Sequence, residues 1–155
     1  MSLPSPSFPS QVAGAFDFLV ADYGFQRVEH PDYPAGELVE YRKEPITISI
    51  GWYKGEIDIN FALSIEFTEN HKIFRPYLSR TFSLSEVALR QDARAFACWA
   101  TRKDMGVFIT TADHAKVFLE ESARIMKQYC APILQGDLTL LEEITKERRA
   151  LSGRS

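Results

Sequence analysis

Hydrophobic and polar residues alternate strictly along two neighbouring stretches in the first half of the chain. Every second residue is large and apolar from Ile46 to Trp52, and the alternation resumes from Ile57 to Phe67. A period of two is typical of strands with one buried and one exposed face. Lys54-Gly55 predicts a two-residue turn between them, and a slip of one residue would expose one apolar set, so the pattern also predicts the register. The facing pairs are Trp52 with Ile57, Ile50 with Ile59 and Ile48 with Phe61.

Two further strands are predicted before this hairpin. Glu37 to Lys43 alternates in the same way, and a turn at Glu44-Pro45 would place Tyr41 opposite Ile48 and Val39 opposite Ile50. A shorter strand is predicted at Phe25 to Glu29. The result is an antiparallel meander of three to four strands.

Apolar residues at helical spacing predict helices on either side of the meander. The first helix ends at Gly24, where a left-handed cap is expected, and its stripe is Val12, Phe16, Leu19, Val20 and Tyr23. Ser83 with Glu86 three residues later predicts the start of the second helix. Two more are expected after Thr110 or Thr111 and after Asp137.

This order of elements indicates an α+β fold with the N-terminal helix and three C-terminal helices packed on one face of the sheet. The length of 155 residues is typical of one domain. We expect that domain at residues 10–151, preceded by a flexible arm at residues 1–9, where prolines and serines are frequent.

Composition and charge narrow the classes of partner and compartment. A net charge of −3 argues against nucleic-acid binding, and no apolar run approaches the ~20 residues of a membrane span. Residues 1–10 lack the basic start and apolar core of a secretory signal, so we expect a cytoplasmic protein without a membrane partner. Cys98 and Cys130 lack metal-site spacing and are expected to be buried, reduced thiols.

No motif in the chain demands a particular chemistry. The histidines, His30, His71 and His114, are spread over two predicted loops and a helix start. We therefore predict no catalytic residue, no metal ligand and no cofactor, and favour a non-enzymatic protein. One enzymatic alternative stays open, because Glu56 and Asp58 share a strand face and two carboxylates could serve a small hydrolase together with a histidine.

The polar face of the meander is the candidate interaction surface. Helices would cover one face of a small antiparallel sheet and leave the other in contact with solvent. Such a face is either plain surface or a docking site for another protein. The residues predicted to contact a partner are Tyr53, Glu56, Asp58, Asn60 and Glu40.

Several short segments lie in the same order as in a broad set of small bacterial proteins. These segments are Phe16–Leu19, Asp22–Phe25, the strand meander, Phe82–Leu84, Tyr129, Ile133–Asp137 and Arg148-Arg149. With them the chain resembles small bacterial families of uncharacterised function that include immunity-protein-like ones, which implies a protein that binds one toxin domain and blocks it. The alternative is a secretion-chaperone-like dimer that holds an effector and buries a helix or the edge strand Glu37 to Lys43 between its chains. The sequence leaves monomer and dimer both open.

Overall fold

The computed structural model describes residues 7–34, 36–64, 67, 81–94 and 112–152. The helices are α1 (Phe8–Phe16), α2 (Phe18–Tyr23), α3 (Leu84–Gln91), α4 (Ala112–Tyr129), α5 (Ala131–Leu134) and α6 (Thr139–Ser152). The strands are β1 (Gln26–Glu29), β2 (Glu37–Lys43), β3 (Ile46–Tyr53), β4 (Glu56–Leu63) and β5 (Thr81–Ser83).

The five strands form one antiparallel sheet in the order β1-β2-β3-β4-β5. The α+β fold is therefore confirmed, with one strand more than predicted. β5 has three residues and passes directly into α3, so it is too short to show an alternating pattern. β2 lies between β1 and β3, and the expectation that Glu37 to Lys43 forms an edge strand is wrong.

The predicted register of the central hairpins is confirmed. Trp52 pairs with Ile57, Ile50 with Ile59 and Ile48 with Phe61, while Val39 and Tyr41 of β2 pair with Ile50 and Ile48. The turn residues Lys54 and Gly55 have φ angles of 51° and 82°. Positive φ at both central positions matches the right-handed twist of the flanking strands.

The core lies between the sheet and the helices. Ile48, Ile50 and Phe61 are completely inaccessible to solvent, and the polar residues between them in sequence point to the other face. Phe8 of α1 packs on Trp52 of β3, with ring centroids 5.5 Å apart. The helices therefore cover and bury one face of the central strands.

The N-terminal helix differs from its prediction in two ways. It begins at Phe8, within the expected arm, and the side chain of Phe8 is only 2% exposed. It also breaks at Asp17 into α1 and α2, which interrupts the helical phase. Val20 was expected on the apolar stripe, and this is wrong because it is 43% exposed. The Asp17 carboxylate accepts hydrogen bonds from Tyr41 Oη (3.1 Å) and Arg27 Nη1 (3.2 Å), and these bonds tie the break to the sheet.

The predicted helix ends at Gly24, Ser83 and Asp137 are confirmed. Gly24 ends α2 with φ of 76°, as expected of a left-handed cap, and the Phe25 amide returns to the Leu19 carbonyl at 3.0 Å. Ser83 Oγ accepts the Glu86 amide at 3.0 Å at the start of α3. The Asp137 carboxylate accepts the Thr139 amide at 3.0 Å at the start of α6.

Several expectations fall outside the described residues. These concern Cys98, His71 and the cap at Thr110 or Thr111. Cys130 lies within them and is a buried free thiol, as predicted. Across the described ranges, none of the helices has the length and apolar character needed to cross a bilayer.

Candidate functional site

The candidate site is the sheet face that points away from the helices, called the outer face below. It comprises Gln26, Val28, Leu38, Glu40, Arg42, Thr47, Ser49, Gly51, Tyr53, Glu56, Asp58, Asn60, Ala62, Thr81 and Ser83. None of these fifteen residues is fully buried, whereas the intervening positions of β3 and β4 largely are. All five residues predicted to contact a partner lie on the outer face.

A row of directly paired residues crosses the outer face at its centre. Strand pairing places Val28 of β1 beside Glu40, Glu40 beside Ser49, Ser49 beside Asn60, and Asn60 beside Ser83 of β5. Cross-strand neighbours have Cβ atoms about 5 Å apart, which is close enough for their side chains to interact. The outer face therefore carries a continuous polar line over four strands, beginning at an apolar residue on β1.

Glu40 is the most constrained side chain on the outer face. Its Oε1 accepts hydrogen bonds from Arg42 Nη2 at 2.6 Å and from His30 Nε2 at 2.7 Å, and its Oε2 accepts one from Ser49 Oγ at 3.5 Å. The Glu40 side chain is 17% exposed. Burial raises the pKa of its carboxyl, but the hydrogen bonds from Arg42 and His30 outweigh burial, so the pKa lies below the ordinary value of 4.5. Glu40 is therefore ionised and fixed in place at neutral pH.

The acidic end of the outer face lies at the β3–β4 turn. Tyr53 pairs with Glu56 beside the turn, and Gly51 pairs with Asp58 one step further along the strands. Both carboxylates are exposed, and neither has an ion pair or hydrogen bond to another described residue. Tyr53 is 44% exposed, with the Lys54 Nζ 5.1 Å from its ring centroid. This end therefore offers two free negative charges next to an accessible aromatic ring.

Sequence reasoning missed the contact between His30 and Glu40. His30 lies in a loop directly after β1, as predicted, and its backbone amide donates to the Leu38 carbonyl at 3.2 Å just beyond the last β1–β2 pair. His30 has the same parity as Val28, which pairs with Glu40. That parity is the signal that could have placed His30 diagonally next to Glu40 on the outer face.

Neither of the two described histidines contacts the carboxylates of the hydrolase alternative, and His71 lies outside the described residues. His30 contacts Glu40 and neither of the two carboxylates that the alternative would use, and His114 is on α4 in the helical layer. Among the residues described, no group of three or more histidine, cysteine or acidic side chains could hold a metal ion.

A shallow cavity of about 220 Å³ lies in the helical layer, and its lining includes Gln91, Tyr129 and Leu140.

No protein family, curated protein or solved structure matches the chain at a significant level.

Proposed function

We propose that the protein is a non-enzymatic binding protein that docks one partner protein on its outer face, in the manner of an immunity protein. The observation that carries this proposal is the pair of unpartnered carboxylates, Glu56 and Asp58, exposed beside Tyr53 on a sheet face that no described element covers. A partner that supplies a positive charge there would satisfy both carboxylates.

The rigidity of the outer face supports a role in recognition. Its side chains project from paired strands of a sheet whose other face is largely buried on β3 and β4, so little conformational entropy would be lost on docking. Tyrosine and arginine are enriched in protein interfaces, and both Tyr53 and Arg42 lie on this surface. Arg42 is held by Glu40 in one geometry, which prepares it for contact.

The acidic balance of the outer face indicates the chemistry of the partner. Among its fifteen residues three are acidic, namely Glu40, Glu56 and Asp58, and Arg42 is the only cation. Complementary charge accelerates association and excludes partners of like charge. A basic protein domain therefore fits this surface better than an acidic one.

Charge reversal tests the proposal with a matched control. Immobilised wild-type protein is compared with the variant Glu56→Lys/Asp58→Lys and with the control Asp22→Lys/Glu120→Lys, which changes the net charge equally on α2 and α4. Both control carboxylates are exposed. Proteins captured from lysate of the source cells are identified, and each candidate is then purified and its Kd measured by calorimetry.

We expect a purified partner whose affinity falls at least about tenfold with the outer-face variant, since two charges that complement the partner would be reversed. The control variant should bind like the wild type, and circular dichroism should show that all three proteins are folded. A partner that binds wild type and outer-face variant equally well would refute the proposed surface. Light scattering of the purified chain separates this function from the chaperone-like alternative, which requires a stable dimer.

A further inference from the structure

We propose that the outer face contains a specific socket for one lysine or arginine side chain of the partner, with Gly51 as its floor. This inference rests on the proposed function and specifies the chemistry of its central contact. Gly51 is surrounded by Leu38, Ser49, Tyr53 and Asp58. We call this group of five residues, with Gly51 at its centre, the Gly51 notch.

The register places these residues around Gly51. Leu38 of β2 and Asp58 of β4 pair with Gly51 from either side. Ser49 and Tyr53 are its neighbours along β3 on the same face, since side chains two residues apart point the same way. Gly51 is thus the one position on the central strand's outer face without a side chain, surrounded by four positions that have one.

There is room for a Cβ atom above Gly51, beside the Leu38 side chain. A Cβ atom built there would lie 3.5 Å from the Glu37 carbonyl oxygen and 3.7 Å from Leu38 Cδ1, which are ordinary van der Waals distances. Its backbone conformation is one that other residues adopt, since Gly51 is not among the residues with positive φ. Glycine is therefore not required here by the backbone or by a close contact, and its effect is to leave a depression in the sheet surface.

The walls of the notch match a cationic side chain. Leu38 and the Tyr53 ring offer apolar surface to the methylene groups of lysine or arginine, which commonly pack on such surface while their charge stays at its edge. Asp58 supplies an exposed carboxylate with no ion-pair partner among the described residues, and Glu56 lies next to it on β4. The Tyr53 ring already attracts a cation from this chain, because Lys54 Nζ lies 5.1 Å from its centroid.

The same geometry disfavours an anionic ligand. Arg42 is the nearest cation on the outer face, and its guanidinium is engaged by Glu40 at 2.6 Å. An anion in the notch would face Asp58 and Glu56, and the nearby Lys54 offsets only one of these two negative charges. Charge complementarity therefore selects lysine or arginine as the occupant.

The probe for this inference is the peptide acetyl-Gly-Arg-Gly-amide, titrated into the folded chain and followed by backbone amide NMR. The control peptide carries citrulline, which has the shape of arginine without its charge. Three variants are compared with wild type. Gly51→Val fills the notch with a residue that strands favour and leaves the charge unchanged. Asp58→Asn removes the wall charge, and Glu120→Gln removes one charge from exposed α4.

We expect saturable shifts confined to the amides around Leu38, Gly51 and Asp58, with a Kd in the millimolar range and no saturation by the citrulline peptide. Gly51→Val should weaken binding by at least about fivefold. Asp58→Asn should weaken it about three- to fivefold, as the loss of one exposed ion pair would. Glu120→Gln should behave like wild type.

Shifts that spread over all acidic surfaces, an equal response to citrulline, or unchanged binding by Gly51→Val would each overturn the notch. The purified partner then separates the two proposals. If its affinity depends on Glu56 and Asp58 but ignores Gly51→Val, the notch is wrong and the binding function stands. If its affinity ignores both changes, the proposed function fails as well.

Discussion

The adjacent residues Ile48 and Ser49 provide the sharpest test of how the two sheet faces divide. Ile48 is completely inaccessible to solvent at the centre of β3. Ser49 points to the outer face, where its hydroxyl makes one long hydrogen bond of 3.5 Å to Glu40. Truncation of both residues to alanine compares the packed face with the open face at neighbouring positions.

The expected magnitudes differ several-fold. Ile48→Ala removes three buried carbon atoms, worth about 2.4 kcal/mol at about 0.8 kcal/mol each. The cavity that remains adds to this cost, because the paired strands on both sides limit collapse, so we expect a total loss of about 3 to 4 kcal/mol. Ser49→Ala loses one weak hydrogen bond in contact with water and should cost no more than about 0.5 kcal/mol.

Equilibrium unfolding in urea, followed by far-ultraviolet circular dichroism, gives both values. The slope of the free energy with urea concentration should stay the same in both variants, so that the shift in midpoint reports stability. A loss below about 1 kcal/mol for Ile48→Ala, or equal losses for the two variants, would refute the assignment of the buried face. The outer face would then no longer be a credible docking surface.

Three other perturbations have defined outcomes. The pKa of Glu40 is below 4.5 in the folded protein, so its contribution to stability is complete above pH 4.5 and is lost as the pH falls through the lower folded pKa. Glu40→Gln should reduce this loss of stability at acidic pH, measured by urea titrations at a series of pH values. An unchanged dependence of stability on pH would contradict the contribution of Glu40. Gly36 has φ of 157°, and a Cβ there would lie 2.3 Å from the Trp52 carbonyl oxygen, so Gly36→Ala should lower the free energy of unfolding by about 1 to 3 kcal/mol. The control Gly14→Ala in α1, where a Cβ meets nothing within 4 Å, should raise it by about 0.5 to 1 kcal/mol; equal effects of the two substitutions would refute the clash. Burial raises the pKa of the Cys130 thiol to about 12, so peptide-resolved mass spectrometry should find it unmodified by iodoacetamide at neutral pH until urea unfolds the chain, and labelling in the native state would contradict its burial.

Local patterns were sufficient for the central part of the fold. The alternation in β3 and β4 and the turn at Lys54-Gly55 predicted the strands, their pairing and their buried face. The helix ends at Gly24 and Ser83 were also predicted correctly, because a cap is formed by residues within one turn of the helix. The five predicted partner-binding residues fall on one face for the same reason, since parity along a strand decides the face.

Contacts between residues far apart in the chain could not be predicted from the sequence. The break at Asp17 is tied down by Tyr41, which is 24 positions away, and no local pattern contains that contact. The Gly51 notch depends on Leu38, an apolar residue that the pairing of β2 with β3 places next to the glycine.

Sequence patterns were enough to identify the central strands β2, β3 and β4, their pairing and their buried face, because these properties follow from side-chain parity and from turn residues a few positions apart. Which side chains are neighbours on the outer face follows only from the tertiary structure. His30 with Glu40, and Leu38 and Asp58 on either side of Gly51, are brought together by strand pairing between residues well separated in the chain. The physical reason is that periodicity reports the burial of each residue, whereas a site depends on distances between side chains that only the folded chain brings together.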